Sequence, residues 1–448
     1  MGAVLRLVTL GWLILLGLAL GTPGPLHAQG QGITVTTLEA VSEFPKGIRF
    51  RVEVESPTPI TEAVLRFTVA GERVQRYYPL DITSPSTRFQ AEVLVRTDTY
   101  ERYIPPGTDI RYFLEVKPLG GQALTTESRQ FTYLDARFTW QEERGGGVTV
   151  YSYGPGSAQA STVLLTVGAT IQDMGPLLGV TLNRPLRLVM YNSVAEMLGA
   201  LPLASEALTQ LLITEGQAHP AEGVILLLAT VGNVVGVASH EVTHVLMYDA
   251  ANNPFHATPT WLDEGMAEYG NKEPASSGDY DRALAAAVSQ NRLIPLRQLA
   301  SRPGQAEDII LMYGQGKSFV AFLVKTQGAE ALRQMLGLFK AGASLDAALQ
   351  QAYGAGLDEL ENQWRRSLGA PPVPVSQPVV RPSPAPVPTL SPLTLGASAP
   401  TPEATASEDA TRGGGFTCGK AQGDRGALDL SLVLLGLSVT ALAVRGRR

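Results

Sequence analysis

The stretch SHEVTHVLMY, residues 239–248, carries two of the chain's five histidines, His240 and His244, with Glu241 beside the first. Residues four apart lie on one helical face about one turn from each other, so both imidazoles can address a single ion. Zinc accepts neutral imidazole nitrogens, and its remaining ligands decide between structural and catalytic use. Glu241 lies one position off that face, so its carboxylate diverges from the pair and reaches the space beside the ion, where a general base for water must stand. A chance His-Glu-x-x-His is expected on the order of 0.003 times in a chain of this length. The rival reading is a buried helix with incidental histidines.

A catalytic ion needs a third protein ligand. The following sequence, VLMYDAANNPFHATPTWLDEGMAEYG (245–270), has no Gly-x-x-His directly after the motif, which excludes the metzincin pattern. Instead TWLDEGMAEY (260–269) reads as a second helix, with Thr260 as its N-cap, and presents Glu264 after nineteen intervening residues. Here the sequence resembles the gluzincin metallopeptidases of the thermolysin and aminopeptidase N branches. The resemblance implies a zinc cofactor held by His240, His244 and Glu264, with Glu268 orienting the first histidine from the second shell. Asp263 reads as a solvated helical acid. MYGQGKSFVAFL (312–323) resembles the aminopeptidase segment in which a tyrosine precedes a glycine-containing turn and an apolar helix. That implies Tyr313 as the oxyanion donor, with His256, between the ligand helices, as the alternative.

The closing helix LDELENQWRRSLG (357–369) is similar to that of bacterial peptidase-MA-like proteins, and the resemblance spans roughly residues 138–368. It implies an α+β peptidase domain with a helical C-terminal subdomain. The Gly-x-Met-Glu-Asn segment by which aminopeptidases hold a free amino terminus is not visible before His240, so aminopeptidase activity is not implied. The apolar run EGVILLLAT (222–230) is expected to be an edge strand that pairs with an extended substrate, which suits an endopeptidase.

Upstream the period changes to two. GIRFRVEVES (47–56) places Ile48, Phe50, Val52 and Val54 on one face and Arg49, Arg51 and Glu53 on the other, and FQAEVLVRT and IRYFLEVKPL alternate alike. Gly120 and Gly121 suggest a hairpin turn. Strands at this spacing predict an all-β sandwich of about 100 residues. IPPGTDIRYFLEV (104–116) resembles the penultimate strand of fibronectin III and immunoglobulin-like domains. No convergent catalytic set falls there, so the module reads as a spacer or substrate-positioning unit, with a carbohydrate-binding or adhesive module as the rival.

The chain's 448 residues exceed one ordinary domain. A net charge of -6, 17% charged residues and no basic run exclude a nucleic-acid footprint. Residues 1–28 have the layout of a signal peptide: an early arginine, an apolar run, then small residues near Ala28. The single cysteine, Cys418, allows no internal disulfide, and an exported chain without one points to a bacterium. Residues 370–426 are rich in Pro, Ala, Ser and Thr, as in a disordered stalk. Residues 427–448 combine an apolar run with Arg445, Arg447 and Arg448, as in a transmembrane or sorting helix facing the cytoplasm. The expected organisation is a signal peptide, a sandwich at 31–136, a zinc metallopeptidase at 137–369, a stalk and an anchor helix. The expected function is hydrolysis of a peptide or protein by Glu-activated, zinc-bound water outside the membrane, and the rival is a noncatalytic adhesion protein with a structural zinc. The oligomeric state is not legible.

Overall fold

The computed structural model describes residues 32–202, 215–273 and 278–373. The signal peptide, nearly all of the stalk, Cys418 and the anchor helix lie outside the described residues. Among those described, no helix is long and apolar enough to cross a membrane.

Seven strands build the N-terminal part: β1 (Thr34–Glu43), β2 (Gly47–Val69), β3 (Arg76–Pro79), β4 (Ser86–Arg96), β5 (Thr108–Pro118), β6 (Leu124–Thr125) and β7 (Arg129–Tyr133). The first half of β2 runs antiparallel between β1 and β4, and its second half pairs with β3 and β5. A straight strand would hold Phe50 and Phe67 about 56 Å apart. Their rings instead stack at 5.7 Å, and Tyr112 of β5 meets Phe50 edge-on at 5.3 Å. β2 therefore folds over at its register break between Glu55 and Ile60, around Pro57 and Pro59, and its halves serve two facing layers. The period-two pattern places Ile48, Phe50, Val52 and Val54 inside, as expected. The strand pairs on both sides of the two prolines.

A second sheet has the order β11-β12-β10-β9-β8, from β8 (Gln141–Gly145), β9 (Val148–Ser152), β10 (Leu186–Tyr191), β11 (Gly216–His219) and β12 (Val224–Leu228). β9, β10 and β12 are parallel; β8 and β11 flank them antiparallel. The expectation that 222–230 forms an edge strand is thus corrected: β12 lies inside, and β11 is the edge among the described residues. The unbroken run VILLL shows why, since a strand covered on both faces needs apolar side chains at every position.

Alternate residues serve different cores. Leu188, Met190, Ile225 and Leu227 face α1 (Ala160–Leu178) and α3 (Val234–Ala251), while Val189, Tyr191, Val224, Leu226 and Leu228 join the core of the N-terminal strands. A short α2 (Val194–Leu198) lies between β10 and β11. The Arg187–Asp109 ion pair at 2.8 Å and a hydrogen bond from Tyr191 Oη to Asp135 at 3.2 Å cross the same junction. The rest is helical: α4 (Thr260–Gly270), α5 (Gly278–Ser289), α6 (Ala306–Lys340), α7 (Leu345–Tyr353) and α8 (Leu357–Ser367) surround Trp261, Phe319 and Trp364. Thr260 is the first residue of α4 and not its cap; Pro259 occupies that position, and the Thr260 hydroxyl donates to the Ala300 carbonyl at 3.2 Å.

Two outcomes follow. Removing residues 32–134 strips cover from five large side chains worth about 1.5–3 kcal/mol each, as much as the whole stability of an ordinary domain. A chain starting at residue 137 is therefore expected to aggregate, and a soluble fragment with a cooperative melt would refute the shared core. His219 is buried against Tyr103 with Nε2 unpaired, and burial pushes its pKa down to about 3. Its folded pKa is depressed, so its contribution is complete above pH 6.5 and is lost as pH falls, about 2 kcal/mol by pH 5. Burial pushes Glu215 and Glu222 up to about 7, which acts in the opposite direction. The test is therefore the difference in unfolding free energy between the parent and His219→Phe across pH 7 to 5, and a constant difference would sink the claim.

Candidate active site

Fifteen of the eighteen residues of α3 are buried, so no polar side chain on its middle turns can turn to water. His240, Glu241 and His244 are at most 2% exposed. α4 runs antiparallel beside α3, which sets Glu268 against His240 and Asp263 against His244. His240 Nδ1 lies 2.8 Å from Glu268 Oε1 in a hydrogen bond, and His244 Nδ1 lies 2.9 Å from Asp263 Oδ2 in an ion-pair contact off the hydrogen-bond axis. With both Nδ1 atoms directed at carboxylates, both Nε2 atoms point inward, 3.1 Å apart. Glu264 Oε2 completes a triangle, 3.4 Å from His240 Nε2 and 3.6 Å from His244 Nε2.

Zinc bonds of about 2.0–2.1 Å in tetrahedral geometry set donor atoms about 3.3–3.4 Å apart. The triangle matches that spacing, and Glu264 Oε2 is buried without a hydrogen-bond partner, as a ligand oxygen must be before it meets an ion. The residues present therefore fit zinc. Burial alone would lower both imidazole pKa values, but Glu264 and Glu268 raise His240 to about 9, and Asp263 and Glu264 hold His244 well above its usual range. Burial pushes Glu264 up, and the two histidines outweigh it and draw its pKa down. This is a network of opposite charges assembled in the interior, where an unpaired member would be costly.

Glu241 points the other way. Burial raises its pKa to about 7, its two carboxylate oxygens make no hydrogen bond, and the Ala218 amide of β11 faces it without closing one. A Cβ on Gly216 of β11 would stand 2.7 Å from Glu241 Oε1, so only glycine leaves that carboxylate its place. Tyr313 is buried on α6, its ring 6.2 Å from that of His240 and stacked on Tyr280 at 5.0 Å. Burial holds its phenol pKa well above 10.

The glycines after Tyr313 correct an expectation. Gly314 and Gly316 lie within α6 and form no turn. A Cβ on Gly265 of α4 would fall 2.4 Å from the Gly316 carbonyl carbon, and one on Gly316 2.5 Å from the Trp261 carbonyl oxygen. The two backbones touch, and this contact holds Glu264 on α4 beside Tyr313 on α6. His256 is exposed in the loop before α4. Two residues escaped the sequence reading: Asp263, and Arg302, whose Nη2 donates to Glu264 Oε1 at 2.9 Å. The cleft of about 630 Å³ along Arg144 and Arg187 shares no residue with this group, and its arginines are paired with acids.

Fold and site together define an α+β domain in which two histidines of one helix and a glutamate of the next could hold a metal ion. Residues 166–370 match the family model of the Peptidase MA superfamily. Among solved structures the chain is similar to a two-domain M1 zinc metallopeptidase bound to L-tryptophan, with 14% identity, coverage of 78% of this chain and 97% of that one, and a TM-score of 0.31. It is also similar to a β-1,3-glucan-binding module of carbohydrate-binding family 56, with 15% identity, coverage of 21% and 95%, and a TM-score of 0.15. No curated protein matches the chain.

Because the atom nearest an added Cβ is backbone, Gly265→Ala cannot be relieved by a rotamer change and is expected to cost about 1–3 kcal/mol or more. Thermal melting tests this, and an unchanged Tm would contradict the contact. Glu268→Gln is expected to weaken zinc binding roughly 10- to 100-fold in a chelator competition and to lower the Tm of the metal-free protein, because buried His240 loses its charged partner.

Proposed function

We propose that this chain is a zinc-dependent peptidase in which His240, His244 and Glu264 hold the ion and Glu241 is the general base. The observation that carries this reading is Glu241, a buried carboxylate with two unpaired oxygens beside a donor triangle of zinc dimensions. A structural site has no use for such a group, and its isolation is costly unless it has a reacting partner. Bound zinc supplies Lewis acidity, acidifying a water and polarising a carbonyl. Glu241 takes the proton of the attacking water and delivers it to the leaving amine. A base held near pKa 7 by burial suits both transfers. Tyr313 keeps its proton and serves as the donor to the oxyanion.

The edge along which an extended peptide would pair is β11, whose four residues are buried among the described residues. Leu228 N–H donates to the Glu215 carbonyl at 2.8 Å, so by antiparallel alternation Gly216 and Ala218 direct their backbone groups away from β12. That edge adjoins Glu241 and favours internal segments of a peptide over capture of a free amino terminus. The immunoglobulin or fibronectin III-like assignment, the domain limits at 31–136 and 137–369, and export with a retained C-terminal helix belong to the same proposal. Their support is the alternation of the strands, the apolar run at each end and the proline-rich stalk.

Glu241→Gln keeps the volume and removes the base. It is expected to retain near-stoichiometric zinc by metal analysis while losing cleavage of a mixed peptide library by at least about 100-fold. Equal turnover by both forms would overturn the mechanism, and polymer binding without cleavage by either form would favour the adhesion reading.

A further inference from the structure

The second oxygen of Glu264 has a fixed partner that the hydrolytic scheme does not use. Oε2 faces the two Nε2 atoms, whereas Oε1 accepts from Arg302 Nη2 at 2.9 Å. The arginine comes from the loop between α5 and α6, and several side chains immobilise that loop. Gln315, fully buried on α6, accepts from Ile294 N–H at 2.9 Å and donates to its carbonyl at 2.8 Å. Leu296 N–H donates to Glu361 at 3.0 Å, Arg365 donates to the Leu293 carbonyl at 3.2 Å, and Thr260 holds the Ala300 carbonyl. Elements far from the ligands thus present one guanidinium to one carboxylate oxygen.

Charge points the same way. Asp263, Glu264 and Glu268 place three carboxylates around the histidines, so a divalent ion alone would leave the group negative, and Arg302 restores balance. A free carboxylate can also bind an ion through both oxygens, which would raise the coordination number and close the position that a catalytic ion must keep open. We infer that Arg302 is a positioning residue that restricts Glu264 to one ligating oxygen and thereby keeps the metal four-coordinate with an open position. This inference rests on the metal reading above, not on the identity of the substrate.

The test loads metal-free protein with Co²⁺ and records visible absorption for the parent, Arg302→Met and Arg302→Lys without substrate, so a failure to find a cleavable peptide does not affect it. Arg302→Met is expected to bind cobalt stoichiometrically but with weaker absorption, the mark of a coordination number above four. Arg302→Lys, which keeps the charge, should recover part of the lost intensity. With a cleavable peptide, Arg302→Met should lower kcat roughly 10- to 100-fold with KM nearly unchanged. An Arg302→Met spectrum identical to the parent's would overturn the inference. So would an equal loss of Tm and cobalt binding in both variants, which would mark the arginine as merely structural.

Discussion

A helix buried on every side cannot carry two imidazoles and a carboxylate unless the surrounding chain answers each of them. That constraint organises the domain. Each histidine has two nitrogens, and a buried ring with either one unanswered is destabilising. Glu268 and Asp263 address the outer nitrogens, which turns both inner nitrogens toward Glu264. The carboxylates then need counter-charge, which comes from Arg302 and from either the protonated histidines or the ion that would replace their protons. Glu241 alone is left without an answer, so the network isolates the group proposed above as the base.

The two helices that bring these side chains to one point, α3 and α4, are each seated on a further element, and for α4 the seat is a backbone contact. Gly265 and Gly316 remove the side chains that would separate α4 from α6, so the ligand helix seats directly on the helix that carries Tyr313. On the other side α3 rests on a sheet whose outer face is itself covered by the N-terminal strands. Residues such as Tyr191 and Leu226 cannot tell the two parts apart energetically: they are core to both. The N-terminal module is therefore the rear wall of the catalytic sheet as well as whatever else it does, which weakens a reading of it as an adhesion unit appended to a self-sufficient domain.

What the sequence disclosed follows the range of the interactions. His240, Glu241 and His244 are legible because a helix fixes their relation within one turn, and Glu264 and Glu268 through the resemblance of their segment to the gluzincin pattern. Asp263 reads in the sequence as a solvated helical acid, since neighbouring helical residues diverge by about 100° and Glu264 already faces the histidines. Antiparallel packing changes the outcome, because α4 passes two histidines and successive acids can serve different rings. Arg302 could not be read: its contact spans 38 residues and depends on a loop whose shape is set by Gln315, Glu361 and Arg365. Gly314 and Gly316 were misread for a related reason. Locally glycine marks a turn, and only the approach of another backbone reveals that it serves a helix crossing.

β2 pairs on both sides of Pro57 and Pro59, because its bend transfers the strand from one layer to the next. The run VILLL, expected at an edge, lies inside the sheet, and its lack of alternation fits cover on two faces. The polar sequence EGQAH just before it contains the edge. Gly216 gives Glu241 room, and the backbone of Ala218 turns toward the same carboxylate. A strand that carries such a sequence at an edge is stable only if something else holds it, and β12 does so through four paired residues. The apolar strand supplies the stability, and its polar neighbour lies at the sheet edge beside Glu241, buried among the described residues.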